Sequence, residues 1–210
     1  MIAHPYGGDA VLLRCRDAAE VRAWHTTIVA AALPGVRDVV PGAQSVLVRV
    51  DLEVADVGQL TLALKACEVR AAQQPAPQGK LIEIPVHYDG EDLAEVAQGI
   101  GLSVAKVIAL HSQQELDVAF CGFSPGFAYL TGVASPLRIP RRVTPRPRVP
   151  TGSVAIAAGY SAIYPQPSPG GWWLLGHTDV VVWDLNRPQP ALLQPGDRVR
   201  FTVASEASSA

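Results

Sequence analysis

The sequence predicts an α+β protein in two parts, a small α/β sandwich followed by a domain that ends in an all-β sheet or barrel. Three observations carry this. Up to about residue 70, strand-like and helix-like hydrophobic periods alternate. The polar, proline-containing segment Gln73-Gln-Pro-Ala-Pro-Gln-Gly79 then interrupts them as a linker would. From Leu116 onward, short apolar runs are separated by turn residues, which is how many short strands read. A chain of 210 residues has room for one large domain or two small ones.

Ala10-Val-Leu-Leu-Arg14 reads as a strand. Asp17-Ala-Ala-Glu20 has capping-box spacing ahead of a helix that places Val21, Trp24, Ile28 and Ala31-Ala32 near one face. Leu33-Pro34-Gly35 should stop that helix. Val36 to Val40 and Ser45 to Asp51 flank Pro41-Gly42-Ala43-Gln44, a hairpin signal. A second helix is expected from about Val57 to Arg70, with Leu60, Leu64 and Cys67 at helical spacing. The order β-α-β-β-α suggests a ferredoxin-like sandwich. No catalytic constellation appears in it.

The expected layout is an N-terminal domain over 1–75, a linker over 76–80, a second domain over 81–205 and a flexible tail over 206–210. Leu81 to Val86 reads as a strand leading into His87-Tyr88-Asp89-Gly90. Two short helices should follow, Glu91 to Gln98 and Val104 to Ser112, with Gly101 ending the first and Ser103 capping the second. Strands are expected at Val118 to Cys121, Ser153 to Ala157, Trp172 to Leu175, Val180 to Asp184 and Arg198 to Val203, with a turn at Pro195-Gly196-Asp197 before the last.

Composition excludes several classes. The net charge of −2 points to no general nucleic-acid or membrane surface. There is no basic-then-apolar leader, and no apolar run nears the roughly 20 residues that span a bilayer, so a cytoplasmic protein is expected. Cys15, Cys67 and Cys121 are odd in number and far apart, which argues against a disulfide framework or a structural zinc site. Cys121, beside Gly122, could be a nucleophile or a buried small hydrophobe. No histidine spacing suggests a metal, and neither nucleotide-binding glycine motif is present.

Chemistry concentrates between Val118 and Thr178. These 61 residues hold nine of the 18 prolines, eight of the 18 glycines and no Asp or Glu. Arg138, Arg141, Arg142, Arg146 and Arg148 fall within 11 of them. Such loops are held in set conformations, and guanidinium forks without a local carboxylate suit an anion. Carboxylates elsewhere in the chain, or on a partner, could equally neutralise them. Arg141 and Arg146 are the expected anion contacts. Gly126, Gly170 and Gly171 would offer backbone N–H groups, with Pro125 shaping the loop beside Gly126. Phe123, Phe127, Tyr129, Tyr164 and Trp172 would wall a pocket, although core packing also explains such residues. Ser153 lies beside a glycine but not in a nucleophile elbow, and His177 ends a strand and could titrate near neutral pH. Asp89 and Asp92 read as general bases or as solvated first-turn carboxylates.

With these residues in view, the chain resembles the family called allophanate hydrolase subunit 1, or the Kip inhibitor family. The likeness rests on Ile84-Pro-Val86 with Tyr88, His111, Gly122-Phe-Ser-Pro-Gly-Phe127 with Tyr129-Leu130, Pro140-Arg-Arg142 and Pro145-Arg146. Val149-Pro-Thr-Gly-Ser-Val154, Ile163-Tyr-Pro165, Ser168-Pro-Gly-Gly-Trp172 and Pro195-Gly-Asp197 continue it in order. The resemblance implies a cyclophilin-like β-barrel after the α/β domain. It also implies the B component of an ATP-dependent 5-oxoprolinase, a hydrolase of a cyclic amide, inactive alone. Such a heteromer includes a paralogous C component and an A component, a small anionic substrate, and ATP with magnesium in the assembled complex. The family's alternatives are a histidine-kinase inhibitor and a carboxyl-transfer component of a urea carboxylase or allophanate hydrolase system. Two positions depart from its pattern. Tyr160-Ser161-Ala162 stands where Gln-Thr-Gly is common, and Gly176-His177-Thr178-Asp179 where Gly-Arg-Thr-Pro is common.

Overall fold

The structure, a computed structural model, describes residues 2–73 and 79–204, with residues 68–73 described by backbone alone. The chain divides into two units between residues 78 and 79.

The first unit runs β1 (Ile2–Tyr6), β2 (Ala10–Arg14), α1 (Ala18–Ala31), β3 (Val36–Pro41), β4 (Ser45–Val50) and α2 (Val57–Gln73). Its strands form an antiparallel sheet in the order β1-β2-β4-β3. Helix α1 starts where the Asp17 carboxylate accepts the Glu20 N–H at 2.8 Å, which satisfies one of the free donors of the first turn. It ends at Ala32, in the left-handed conformation, two residues before Pro34. Val11, Leu13, Val46, Val48 and Val50 alternate along their strands toward Val21, Trp24, Ile28, Leu60 and Leu64, so one sheet face and two helix faces share a core. Strand β1 was not expected. Four of its five residues are exposed, so it carries no apolar alternation to read. It takes the edge beside β2 that a ferredoxin-like order fills with a strand following α2, and the chain departs from that order there.

The second unit contains β5 (Leu81–Val86), α3 (Leu93–Gly99), α4 (Val104–Ser112), β6 (Glu115–Cys121), β7 (Ala128–Thr131), β8 (Arg146–Val149), β9 (Ser153–Ala157), β10 (Tyr160–Ile163), β11 (Ser168–Gly170), β12 (Trp173–His177) and β13 (Arg198–Val203). Seven strands form one sheet in the order β12-β9-β10-β7-β6-β13-β5, while β8 and β11 make a separate ribbon. The two sheet edges meet. His87, just past β5, and His177, ending β12, exchange both backbone hydrogen bonds at 2.8 and 2.9 Å. The sheet is therefore a nearly closed barrel with little bare edge. Ile84, Val86, Leu116, Val118, Leu130, Val154, Ile156, Val199 and Phe201 fill it together with Val96 of α3 and Val107 of α4. On the outside, Arg198 and Arg200 pair with Glu115 and Glu83 across β6, β13 and β5.

Several expectations are corrected. Val180 to Asp184 is not a strand; it keeps one isolated bridge, Trp183 to Ala191, and turns where the Arg187 N–H meets the Asp184 carbonyl. Strands β7, β8, β10 and β11 were not anticipated, because each has only three or four residues and β8 and β11 carry proline. The linker expected over 76–80 lies outside the described residues up to 78. Its last two residues are tied down, with the Gly79 N–H on the Gly196 carbonyl and the Lys80 N–H on Asp197, both at 3.0 Å. The tail over 206–210 lies outside the described residues.

Candidate functional site

The site is built on a strand buried on both faces. All five residues of β9 are buried, as the unbroken apolar run Val154 to Ala157 implies. Val154 and Ile156 point into the barrel, and Ala155 and Ala157 point outward into a second cluster with Phe127, Tyr164, Trp172, Val149 and Leu174. The small alanines leave room for rings. Phe127 meets Tyr129, Tyr164 and Trp172 edge-on, with centroids 5.0 to 5.7 Å apart. Phe127 and Tyr164 are each 2% exposed and Trp172 5%, so their rings are core rather than pocket walls. Tyr129 is half-buried, and Phe123, at a left-handed φ of 71°, is exposed.

Two phenols belong to this cluster, and each feels the charge of Arg141. Burial pushes the Tyr164 phenol up to about 12, with Arg141 pulling it back the most among nearby charges. Tyr129 is raised by burial in the same way and is likewise opposed by Arg141. Both phenols therefore keep their protons at neutral pH and can donate hydrogen bonds. Arg141 is exposed and makes no ion pair among the described residues. A guanidinium without an ion pair is suited to a carboxylate.

Of the other arginines of the window, Arg148 is also exposed and in no ion pair among the described residues, but Arg138, Arg142 and Arg146 are engaged, and the acid-free window proves misleading. Asp92, whose side chain is 3% exposed, accepts from Arg142 at 2.7 Å and Arg146 at 2.6 Å through one oxygen. Its other oxygen accepts the Leu174 N–H at 2.7 Å. Glu91 adds a 2.6 Å bond to Arg146, and Glu95 stands 3.5 Å from Arg142. Burial opposes the charge of Arg146, but its bonds and charge contacts with Asp92 and Glu91 outweigh that and hold it more firmly protonated. Arg142 also lies over the Trp173 ring at 4.8 Å. Arg138 donates to the Val133 carbonyl. Asp92 is thus neither a general base nor a solvated carboxylate but a buried junction. Sequence reasoning missed it because its partners lie 50 and 54 residues away.

The glycines serve the protein's own packing. A side chain at Gly170 would collide with the Tyr164 hydroxyl, and a Cβ at Gly126, whose φ is +82°, would stand 2.6 Å from that of Trp183. Gly171 has ordinary contacts, and its carbonyl accepts the Arg142 N–H at 2.8 Å. Pro125 is exposed in the tight turn where the Phe127 N–H meets the Ser124 carbonyl. Cys121 is no activated nucleophile: burial pushes its thiol up to about 11.

The histidines stand apart. His177 and its cross-strand neighbour Ser153 lie at the barrel seam, three residues or about 10 Å along β12 from Leu174. The His177 ring stacks on His87 at 4.8 Å and bonds Asp89 at 2.9 Å. The structure therefore places His177 and Ser153 at the seam, with His177 in contact with His87 and Asp89. His111 is fully buried between Tyr88 at 2.8 Å and Ser161 at 2.9 Å. Ser161 already donates to the Ala155 carbonyl, so it accepts from His111 Nε2, and Nδ1 accepts from Tyr88. Burial takes the His111 pKa down to about 3, which keeps it neutral. Among the described residues no group of three or more His, Cys, Asp or Glu could hold a metal ion, and no single helix is long and apolar enough to cross a membrane.

Comparison with known proteins places this geometry. The family described as carboxyltransferase domain, subdomain C and D, matches residues 1–193. The B subunit of 5-oxoprolinase from Escherichia coli O157:H7 is 39% identical over 212 residues, covering 95% of this chain and 94% of that protein. The crystal structure of TTHA0988 superposes on 94% of this chain with a TM-score of 0.82 at 40% identity, and this chain spans 40% of that longer one. The urea carboxylase of Kluyveromyces lactis gives a TM-score of 0.75 over 97% of this chain and 22% of its own, a likeness of fold alone at 18% identity. On this match, which takes in the first unit and nearly all of the barrel, the chain belongs to the carboxyltransferase domain family, subdomains C and D.

Proposed function

We propose that the chain is the B component of a 5-oxoprolinase-type complex, in which 5-oxoproline, ATP and water give glutamate. Three relatives at 39 to 47% identity are named as the B subunit of 5-oxoprolinase, which favours this reading over the kinase-inhibitor and carboxyl-transfer alternatives. The complex includes a paralogous C component and an A component, and this chain alone has no turnover.

The observation that carries the site is Arg141: the guanidinium of the Pro140-Arg-Arg142 loop that is exposed and stays unpaired among the described residues. It binds the substrate carboxylate, with the half-buried Tyr129 hydroxyl as a second donor, and so orients the lactam ring. Charge-assisted bonds of this kind contribute about 1.5–3 kcal/mol each. Arg146 supports the loop instead of touching substrate, because Asp92 and Glu91 already occupy it. His177 is 44% exposed at the seam and lies outside this subsite.

The subsite does not fit a triphosphate and its metal. The adjacent guanidiniums, Arg142 and Arg146, are already compensated by Asp92 and Glu91, which leaves too little free positive charge beside Arg141 for three phosphates. No step through ATP is assigned to this subsite. In the complex reconstituted with its A and C components, Arg141→Ala should raise the KM for 5-oxoproline by about 10- to 100-fold and leave the KM for ATP unchanged. An unchanged KM for 5-oxoproline would remove the site from this chain.

A further inference from the structure

We propose that Asp92 is a positioning residue for substrate binding: it acts through the loop that carries Arg141 and never touches substrate. The proposal rests on the reading of Arg141 given above.

The geometry makes Asp92 the meeting point of three elements. Its backbone N–H bonds the Leu174 carbonyl at 3.2 Å and its own carboxylate takes the Leu174 N–H at 2.7 Å, so the residue is doubly fixed to the barrel wall. Its carbonyl accepts the Val96 N–H at 2.8 Å, which starts α3. The remaining carboxylate oxygen holds Arg142 and Arg146, which follow Arg141 on the stretch that runs into β8. Gly90, two residues earlier, is packed so tightly on the backbone of Leu174 and Leu175 that a side chain there has no room. Asp92 has little freedom to move away.

Among the described residues Arg141 has no tether of its own, and both of its neighbours do. The Pro140 carbonyl accepts the Trp173 Nε1–H at 2.8 Å. Arg142 is fixed by its N–H on Gly171, by its guanidinium on Asp92 and by Trp173 beneath it. The direction of Arg141 is therefore inherited from these anchors. Of the acids near them, Glu91 and Glu95 are each 62% exposed, whereas Asp92 is shielded from water and holds its partners in a less screened setting.

An asparagine at 92 keeps the shape but not the arrangement. Its single acceptor oxygen cannot serve both the guanidiniums and the Leu174 N–H, so its amide must face one of those donors. The anchor of Arg142 weakens, Arg141 loses its preferred direction, and substrate affinity falls without loss of any group that contacts substrate.

The test is a double-mutant cycle on the reconstituted complex, with Asp92→Asn, Arg141→Ala and the pair, reading KM for 5-oxoproline, kcat and the thermal midpoint of each variant. Asp92→Asn should raise the KM by about 5- to 30-fold with kcat and the KM for ATP nearly unchanged. In the Arg141→Ala background it should raise the KM no further. If instead the two factors multiply, Asp92 acts on the fold alone and the proposal is overturned while the Arg141 site stands. If Arg141→Ala leaves the KM unchanged, the site reading fails first and the proposal goes with it. Should Asp92→Asn not fold, the same cycle with Arg142→Met removes one anchor and leaves Asp92 paired with Arg146, with the same outcomes decisive.

Discussion

Arg141 and Arg142 are adjacent in the chain and opposite in circumstance. Arg142 is compensated by a carboxylate that is 3% exposed, braced on a tryptophan and fixed through its backbone. Arg141 is exposed and unpaired among the described residues. A run of guanidiniums without nearby acids is therefore no measure of free charge. The fold brought Asp92, Glu91 and Glu95 from about 50 residues upstream to meet some arginines and leave another open. On the proposed reading, Arg142 serves stability and Arg141 recognition.

The largest effect is expected on the compensated side. Asp92→Ala removes the carboxylate shared by two largely buried guanidiniums, leaving them only the exposed Glu91 and Glu95, and should cost about 2–4 kcal/mol of unfolding free energy. Chemical denaturation would measure it, and a loss below about 1 kcal/mol would mean that the junction behaves like a surface pair. Acid should act next. His111 has a folded pKa of about 3 against an ordinary 6.5, so the folded state binds fewer protons than the unfolded state between these values. Its contribution is complete above pH 6.5 and is lost as the pH falls toward 3, at about 1.4 kcal/mol per pH unit. Replacing His111 by Gln should flatten that slope in a pH series of denaturation curves. Gly170→Ala follows, at about 1–3 kcal/mol, because the new methyl meets the Tyr164 hydroxyl; Tyr164→Phe in the same chain should relieve part of it. Smallest is Glu115→Gln on the barrel exterior. Its pairs with Arg198 and Arg200 are solvent-accessible and should contribute under about 1 kcal/mol, less at high salt.

The sequence was informative where the physics is local. Asp17 and Ser103 were readable as helix caps because each bonds an N–H three residues on, to Glu20 and Lys106. The faces of α1 and α2 followed from Trp24, Ile28, Leu60 and Leu64 at helical spacing. Strands β7, β8, β10 and β11 were too short to show a period, and Val180 to Asp184 showed one that the fold uses for a turn. For the site, the loop motifs led to Arg141, Tyr129 and Tyr164. They could not reveal that Phe127 and Trp172 pack on the alanines of β9, or that Gly170 makes way for a tyrosine of the same chain. His177 drew notice as a histidine at a strand end, and the strand carries it to the barrel seam. Asp92 was visible as a first-turn carboxylate, but nothing local marks its partners 50 and 54 residues away.

The most direct test compares Arg141→Ala with Arg142→Ala in the assembled complex, reading thermal midpoint and KM for 5-oxoproline together. Arg141→Ala should leave stability within about 0.5 kcal/mol while raising KM at least about 10-fold, and Arg142→Ala should clearly lower the midpoint. A chain in which Arg141→Ala is destabilised and still binds substrate as before would contradict the account.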